Sequence, residues 1–132
     1  MLRIGPSGNS LSFYEEGHKR TKEAAAWLHE KGLSAYEYSF GRGVRIGEEA
    51  AAEIAAEFAA YDIEISSHAP YYTNFANPDD DMIEKSIDYV RQTVLAEKMF
   101  GGRRSVFHPA SCGKSERREA VARAKANIAK LM

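Results

Sequence analysis

Residues 63–80 read IEISSHAPYYTNFANPDD, and the order of patterns inside this stretch sets the fold. From Ile63 to Ser67 apolar and polar residues alternate at the two-residue period of a strand, and Pro70, which has no amide hydrogen, stops the ladder from continuing. A strand over Ile63 to Ser67 therefore delivers His68 at its C-terminal end. Behind it, Asn77 reads as a helix N-cap, Pro78 as the first helical position, and Asp79, Asp80 and Asp81 as acids that complement the helix dipole. Ile83, Ile87, Val90 and Val94 then form an apolar stripe that runs until Gly101-Gly102. A strand feeding directly into a long amphipathic helix is the repeating unit of a parallel α/β sheet.

The same unit recurs on both sides. Downstream, Ser105 to Phe107 is a short apolar run that again ends on His-Pro, at His108-Pro109, and Ser115 can cap a helix whose face is Val121, Ala124, Ile128 and Leu131. Upstream, Ala35 to Phe40 is an aromatic strand between Gly32 and Gly41, followed by the GRGVRIG loop and a helix that starts at Glu48-Glu49 and carries Ala50, Ile54, Phe58 and Tyr61 on one face. Further upstream, Leu2 to Ile4 opens a strand that Gly5-Pro6-Ser7-Gly8-Asn9 must end, and a capping box at Ser12 and Glu15 predicts one helix from Ser12 to Lys31. Four strand-then-helix units in 132 residues predict an α/β fold with parallel strands in the order one-two-three-four. They make half of a (β/α)₈ barrel, which needs about 250 residues to close. The whole chain, 1–132, reads as one such half-barrel domain, a fragment whose two open sheet edges would favour self-association.

Composition bounds the function. Hydrophobic residues make up 44% and charged residues 28%, the balance of an ordinary globular chain. Eighteen Lys and Arg against nineteen Asp and Glu leave a net charge of -1, so there is no global positive field to draw the chain onto nucleic acid and any such contact must be local. No apolar run approaches the ~20 residues that span a bilayer, and the N-terminal segment lacks the features of a signal peptide, so a cytoplasmic location without membrane contact is expected. The single cysteine, Cys112, fits a reducing compartment and excludes a cysteine-based zinc cluster.

His68 and His108 each stand at a strand's C-terminal end, the face on which barrels and open α/β sheets gather their active groups. Two neutral imidazoles on neighbouring strand ends form part of a catalytic metal site, although strand-end histidines also serve simply as partners for nearby loops. His18 and His29 lack this placement and read as solvated residues of the first helix. Arg42 and Arg45, in the loop after the second strand, are candidates for phosphate contact on the same face, against the alternative of solvated surface arginines. Tyr71 and Tyr72 can stack on a ring or pack against the loop. Arg103-Arg104 precedes the fourth strand, on the opposite face, and has no assigned role.

SSHAPYYTNFANPDD and FHPAS resemble the third- and fourth-strand motifs of the endonuclease IV family, within the xylose-isomerase-like barrels. The resemblance implies a (β/α)₈ barrel holding zinc ions and cleaving DNA 5′ of abasic sites in base excision repair. It implies His68 and His108 as zinc ligands and Tyr71 as the aromatic that lies against the lesion, and it points to the loop of Arg42 and Arg45 as one that enters the DNA. The catalytic residues stay unassigned, because the family's further ligands have no counterpart here. The same barrel also carries sugar and sugar-phosphate isomerases and epimerases. The alternative reading is accordingly a small sugar substrate with one divalent ion, Mn²⁺ or Mg²⁺ in place of Zn²⁺.

Overall fold

The computed structural model describes residues 2–132. In chain order it contains α1 (Leu11–Glu15), a 3-10 turn (Thr21–Glu23), α2 (Ala24–Glu30), β1 (Ala35–Ser39), α3 (Glu48–Ala60), β2 (Glu64–His68), α4 (Asp80–Met99), β3 (Ser105–Val106), α5 (Arg117–Ile128) and a closing 3-10 turn (Ala129–Leu131). The sheet is parallel in the order β1-β2-β3, with Ala35 opposite Glu64, Ser39 opposite His68, and His68 opposite Val106.

The expected first strand over Leu2 to Ile4 is present only as an irregular ladder, displaced toward the turn residues. Ser7 bridges Glu37 in parallel, the Ala35 amide donates to the Ile4 carbonyl (3.1 Å), Glu37 N–H to Pro6 (3.0 Å), and Gly8 N–H to Glu37 (2.8 Å). In this register residue 6 should also donate to the Ala35 carbonyl, and proline has nothing to donate. Gly5 passes so close that a Cβ on it would lie 1.5 Å from the Ala35 oxygen. The strand order one-two-three-four therefore holds, with the first member weakened at Pro6.

The single helix expected from Ser12 to Lys31 is broken. Ser10, rather than Ser12, caps α1 by accepting from the Phe13 amide (3.3 Å), and Gly17 at φ +96° turns the chain out of the helix. Glu23 accepts from the Lys19 and Arg20 amides (2.8 and 2.7 Å) and starts the 3-10 turn that leads into α2. His18 consequently lies in the break, its ring stacked on the fully buried Phe13 at 4.9 Å, rather than on a solvated helix; His29 does sit exposed on α2. Two other caps shift by one or two residues. Asn77 makes an Asx turn to the Asp79 amide (3.0 Å), leaving Asp79 to cap α4, and Glu116 caps α5 in place of Ser115. Of the expected helix stripes, Val94 and Val121 are exposed, Ala124 is buried as expected, and Ala96 and Ala120 are buried as well.

Two clusters hold the layers together. Phe13, Trp27, Leu28, Tyr36, Phe40, Ile54, Phe58, Ile65 and Phe100 pack the helices onto β1 and β2, while Phe75, Ile83, Ile87, Val90, Ala120 and Ala124 join α4 to α5. The face of the sheet turned away from the helices, the inner face of a barrel, is polar. Ile65 and Tyr38 belong to the helix-side core, Phe107 packs on Phe75, and Ile4 is exposed. Alternation leaves Glu37, Glu64 and Ser66 on the other face, where Ser7 Oγ donates to Glu37 (2.6 Å). At the N-terminal end of the sheet Arg3 pairs with Asp62 (2.9 Å) and Glu64, and Arg104 also bonds Glu64.

Beneath β2 and β3 lies one buried acid. Glu97 Oε1 accepts from the Arg104 amide (3.3 Å), whereas Oε2 has no hydrogen-bond partner. Burial pushes this carboxyl above the ordinary glutamate range, opposed by the Ser67 hydroxyl and the Arg104 and Arg103 amides. Below the ordinary range both folded and unfolded chains hold the proton. Above it the unfolded chain releases the proton first, so the folded state binds more protons and stability falls as pH rises until the folded carboxyl ionises too. Glu97→Gln is expected to raise stability by on the order of 1 kcal/mol at neutral pH, with the gain vanishing near pH ~4 in urea unfolding across pH. Gly5→Ala should cost about 1–3 kcal/mol and remove the hydrogen-exchange protection of the Ala35 and Glu37 amides while sparing β2.

Candidate functional site

The C-terminal end of the sheet is assembled by backbone bonds between successive loops. Phe40 N–H donates to the His68 carbonyl (3.1 Å) and Ala69 N–H to Val106 (2.8 Å), so His68 is pinned between the ends of β1 and β3. His108 follows β3 by two residues and is exposed. The two imidazole rings stand 5.0 Å apart, centroid to centroid, at 56° to each other.

A contact to the next residue's backbone orients the first of them. His68 Nδ1 lies 2.7 Å from the Ala69 carbonyl oxygen. A carbonyl can only accept, so Nδ1 carries the hydrogen in this bond and Nε2 keeps the free lone pair. That tautomer leaves Nε2 free to accept a metal. No group of three or more His, Cys, Asp or Glu able to hold a metal occurs among the described residues, so the pair offers two nitrogen donors and the remaining coordination positions fall to other ligands. The donor chemistry fits a borderline or hard divalent ion, and the fit is partial by that count.

Around the histidines, side chains that the sequence reading left without a role do much of the positioning. Thr73 Oγ1 donates to the His108 carbonyl (2.8 Å), and Asn74 Oδ1 accepts from both Ala76 N–H (3.1 Å) and Ser111 N–H (3.0 Å). Ser86 on α4 accepts from the Asn74 amide (3.0 Å), and Phe75 N–H donates to Pro109 (3.0 Å). The signal for Asn74 was present in the sequence as the asparagine of the His68-x-x-Tyr71-x-x-Asn74 spacing. Nothing in the sequence announced Thr73.

Tyr71 is 59% exposed, and its amide donates to the Gly41 carbonyl (3.2 Å), which ties the Tyr71 loop to the loop of Arg42 and Arg45. Both arginines are exposed, and neither makes an ion pair among the described residues. The structure thus brings the histidines together and places Tyr71 and Arg42 on linked loops. Arg45 lies farther along, in a cleft beside α3. Arg104 sits at the opposite end of the sheet, in the ion-pair network with Glu64.

With a parallel sheet, helices on one side and histidines at the strand ends, the chain has half of a barrel's architecture. The sequence model of the xylose isomerase-like TIM barrel family matches residues 25–132. The chain belongs to this family. A protein of Methanocaldococcus jannaschii described as uncharacterized is 30% identical over 134 aligned positions, which cover 100% of this chain and 45% of that relative. Among solved structures, an L-ribulose 3-epimerase superposes with a TM-score of 0.72 at 17% identity, covering 99% of this chain and 45% of its own. Endonuclease IV from Thermus thermophilus gives 0.57 at 18% identity, covering 84% of this chain and 42% of its own. The xylose isomerase-like chain therefore spans about half the length of these proteins, as a four-unit half-barrel does, and the likeness to the two solved structures is one of fold. No helix among the described residues is long and apolar enough to cross a membrane.

Zinc titration reads the pair directly. The 132-residue chain is expected to bind Zn²⁺ weakly, and His68→Ala and His108→Ala are each expected to lower the affinity at least ten-fold. Equal binding by all three proteins would remove the pair as a metal site.

Proposed function

We propose that this xylose isomerase-like half-barrel is the metal-binding part of a phosphodiesterase of the endonuclease IV type, acting on DNA at abasic sites. The observation that carries the reading is the juxtaposition of His68 and His108 at adjacent strand ends, beside an exposed Tyr71 on a loop bonded to that of Arg42. A divalent ion there, Zn²⁺ or alternatively Mn²⁺ or Mg²⁺, would supply a hydroxide near neutral pH and neutralise charge on phosphoryl oxygens. His68 would present Nε2 to it, its ring held by the Ala69 carbonyl, and His108 would be steadied through the Thr73 bond to its backbone. Tyr71 offers a face on which a displaced base or sugar can stack, and Arg42 a charge for the backbone phosphate.

A second reading is a sugar or sugar-phosphate epimerase with one divalent ion, supported by the higher fold similarity to the L-ribulose 3-epimerase. The polar inner face with Glu37, Glu64 and Ser66 suits a hydroxylated substrate. In both readings further ligands come from outside the described residues. The exposed Leu2, Ile4 and Val106 at the two sheet edges support association of the isolated chain with itself.

The two readings separate in a binding and turnover assay with Zn²⁺, Mn²⁺ or Mg²⁺. Duplex DNA carrying one abasic site is expected to bind more tightly than intact duplex, and Tyr71→Ala should cost about 1–3 kcal/mol of that affinity by fluorescence anisotropy. Epimerisation or binding of a ketose panel, without preference for the abasic duplex, would replace the phosphodiesterase reading with the epimerase one.

A further inference from the structure

Between the first 3-10 turn and the start of α3 there is a cleft of about 260 Å³, with Arg20, Lys22, Tyr38, Arg45, Gly47 and Glu53 in its lining. Three cations face one carboxylate there. Arg20 Nη2 and Lys22 Nζ both bond the same oxygen, Glu53 Oε2, at 2.9 and 3.0 Å, and Arg45 makes no ion pair among the described residues. A single carboxylate oxygen shared by two cations, with a third cation unpaired, leaves the cleft with excess positive charge. The bonds to Lys22, and then those to Arg20, hold the Glu53 carboxyl below the ordinary range, so it stays ionised and in place.

The cations sit on a built turn. Glu23 accepts from the Lys19 and Arg20 amides, and Asn9 Nδ2 donates to Thr21 Oγ1 (3.2 Å), which fixes the backbone from which Arg20 and Lys22 project. Arg45 comes from the loop that begins at Gly41, whose carbonyl holds the Tyr71 amide, so the cleft opens on the loop that borders the histidine pair. A phosphoryl group carries about -1.5 to -2 charges and three acceptor oxygens, enough to give each cation an oxygen of its own, which Glu53 cannot do.

We propose that this cleft is a phosphoryl-binding site in which Glu53 occupies the ligand's place until a phosphate displaces it. The inference rests on the proposed function only for what carries the phosphate, the terminal phosphate of a nucleic-acid strand or a sugar phosphate. Arg20, Lys22 and Arg45 are the binding groups, and Glu53 is a competing internal anion. Because the side chains are partly exposed, the affinity is modest and falls with salt.

Amide NMR of the full chain titrated with inorganic phosphate, against sodium chloride of equal ionic strength, tests it. Shifts are expected at Arg20 to Glu23 and Arg45 to Ala50. Lys22→Met and Arg45→Met should each weaken phosphate roughly five-fold, and Glu53→Gln should tighten it by a similar factor. A purely structural ion pair would give no tightening. If Glu53→Gln leaves phosphate affinity unchanged or lower while its unfolding midpoint shows an intact fold, or if shifts spread over all surface cations, the proposal is overturned. Ribose 5-phosphate and a 5′-phosphorylated single-stranded oligonucleotide serve as the two carriers, and the tighter of them identifies the source; equal affinities leave the phosphoryl group itself as the ligand. His68→Ala should lose zinc and keep phosphate; absence of zinc binding by the unsubstituted chain with an intact phosphate response would sink the functional reading and leave this site standing, and zinc binding without a phosphate response would do the opposite.

Discussion

Five consecutive parallel pairs, from Ala35 against Glu64 to Ser39 against His68, fix the level of everything else in this half-barrel. The side-chain period of a strand is two, so a slip of one residue would turn Ile65 and Ser67 out of the helix-side core and bring Glu64 and Ser66 into it. Ile65 and Tyr36, both buried, make that slip costly, at about 1.5–3 kcal/mol for each large side chain moved into water. The same register puts His68 one step past the last buried position of β2, at the sheet's end, where its carbonyl receives the Phe40 amide. Function at the C-terminal end is thus tied to packing on the helix side through the arithmetic of a single ladder.

The two ends of the sheet are fastened by different chemistry. At the N-terminal end, charged side chains on the surface do the work, with Arg3 from the segment beyond β1 and Arg104 from just before β3 converging on Glu64. Surface ion pairs are individually weak, and this network orders strand ends more than it stabilises the fold. At the C-terminal end the fastening is mostly backbone, supplemented by Thr73, Asn74 and Ser86, whose bonds are shorter-range and insensitive to salt. Such a scaffold holds the histidine loops in a fixed relation while leaving Tyr71, Arg42 and the His108 ring exposed.

The charge distribution qualifies the near-neutral net charge. Cations outnumber acids in the cleft of Arg20, Lys22 and Arg45, where Glu53 answers two of the three, while the paired acids Asp62 and Glu64 are drawn into the opposite end. An anion approaching this family member therefore meets favourable ground on the loop side of the sheet.

Local pattern was enough to settle the succession of strands and helices and the placement of the two histidines, because period-two and period-3.6 patterns are properties of short stretches of chain and Pro70 and Pro109 end the strands covalently. The loop that carries Arg42 and Arg45 was legible in the same way. The break in the first helix was not, because Glu23 reaching back to two amides and Phe13 seeking a buried pocket are interactions whose strength depends on what surrounds them. Nor was the polarity of the inner face, since a strand's alternation says which residues share a side and cannot say which side the helices will cover. It took the packed molecule to bring the His68 and His108 rings to 5.0 Å, to let Thr73 steady one of them, and to have Arg20 and Lys22 share a single oxygen of Glu53. These contacts join residues about 30 to 40 positions apart, and only the folding of separate units against one another brings such residues within hydrogen-bonding distance.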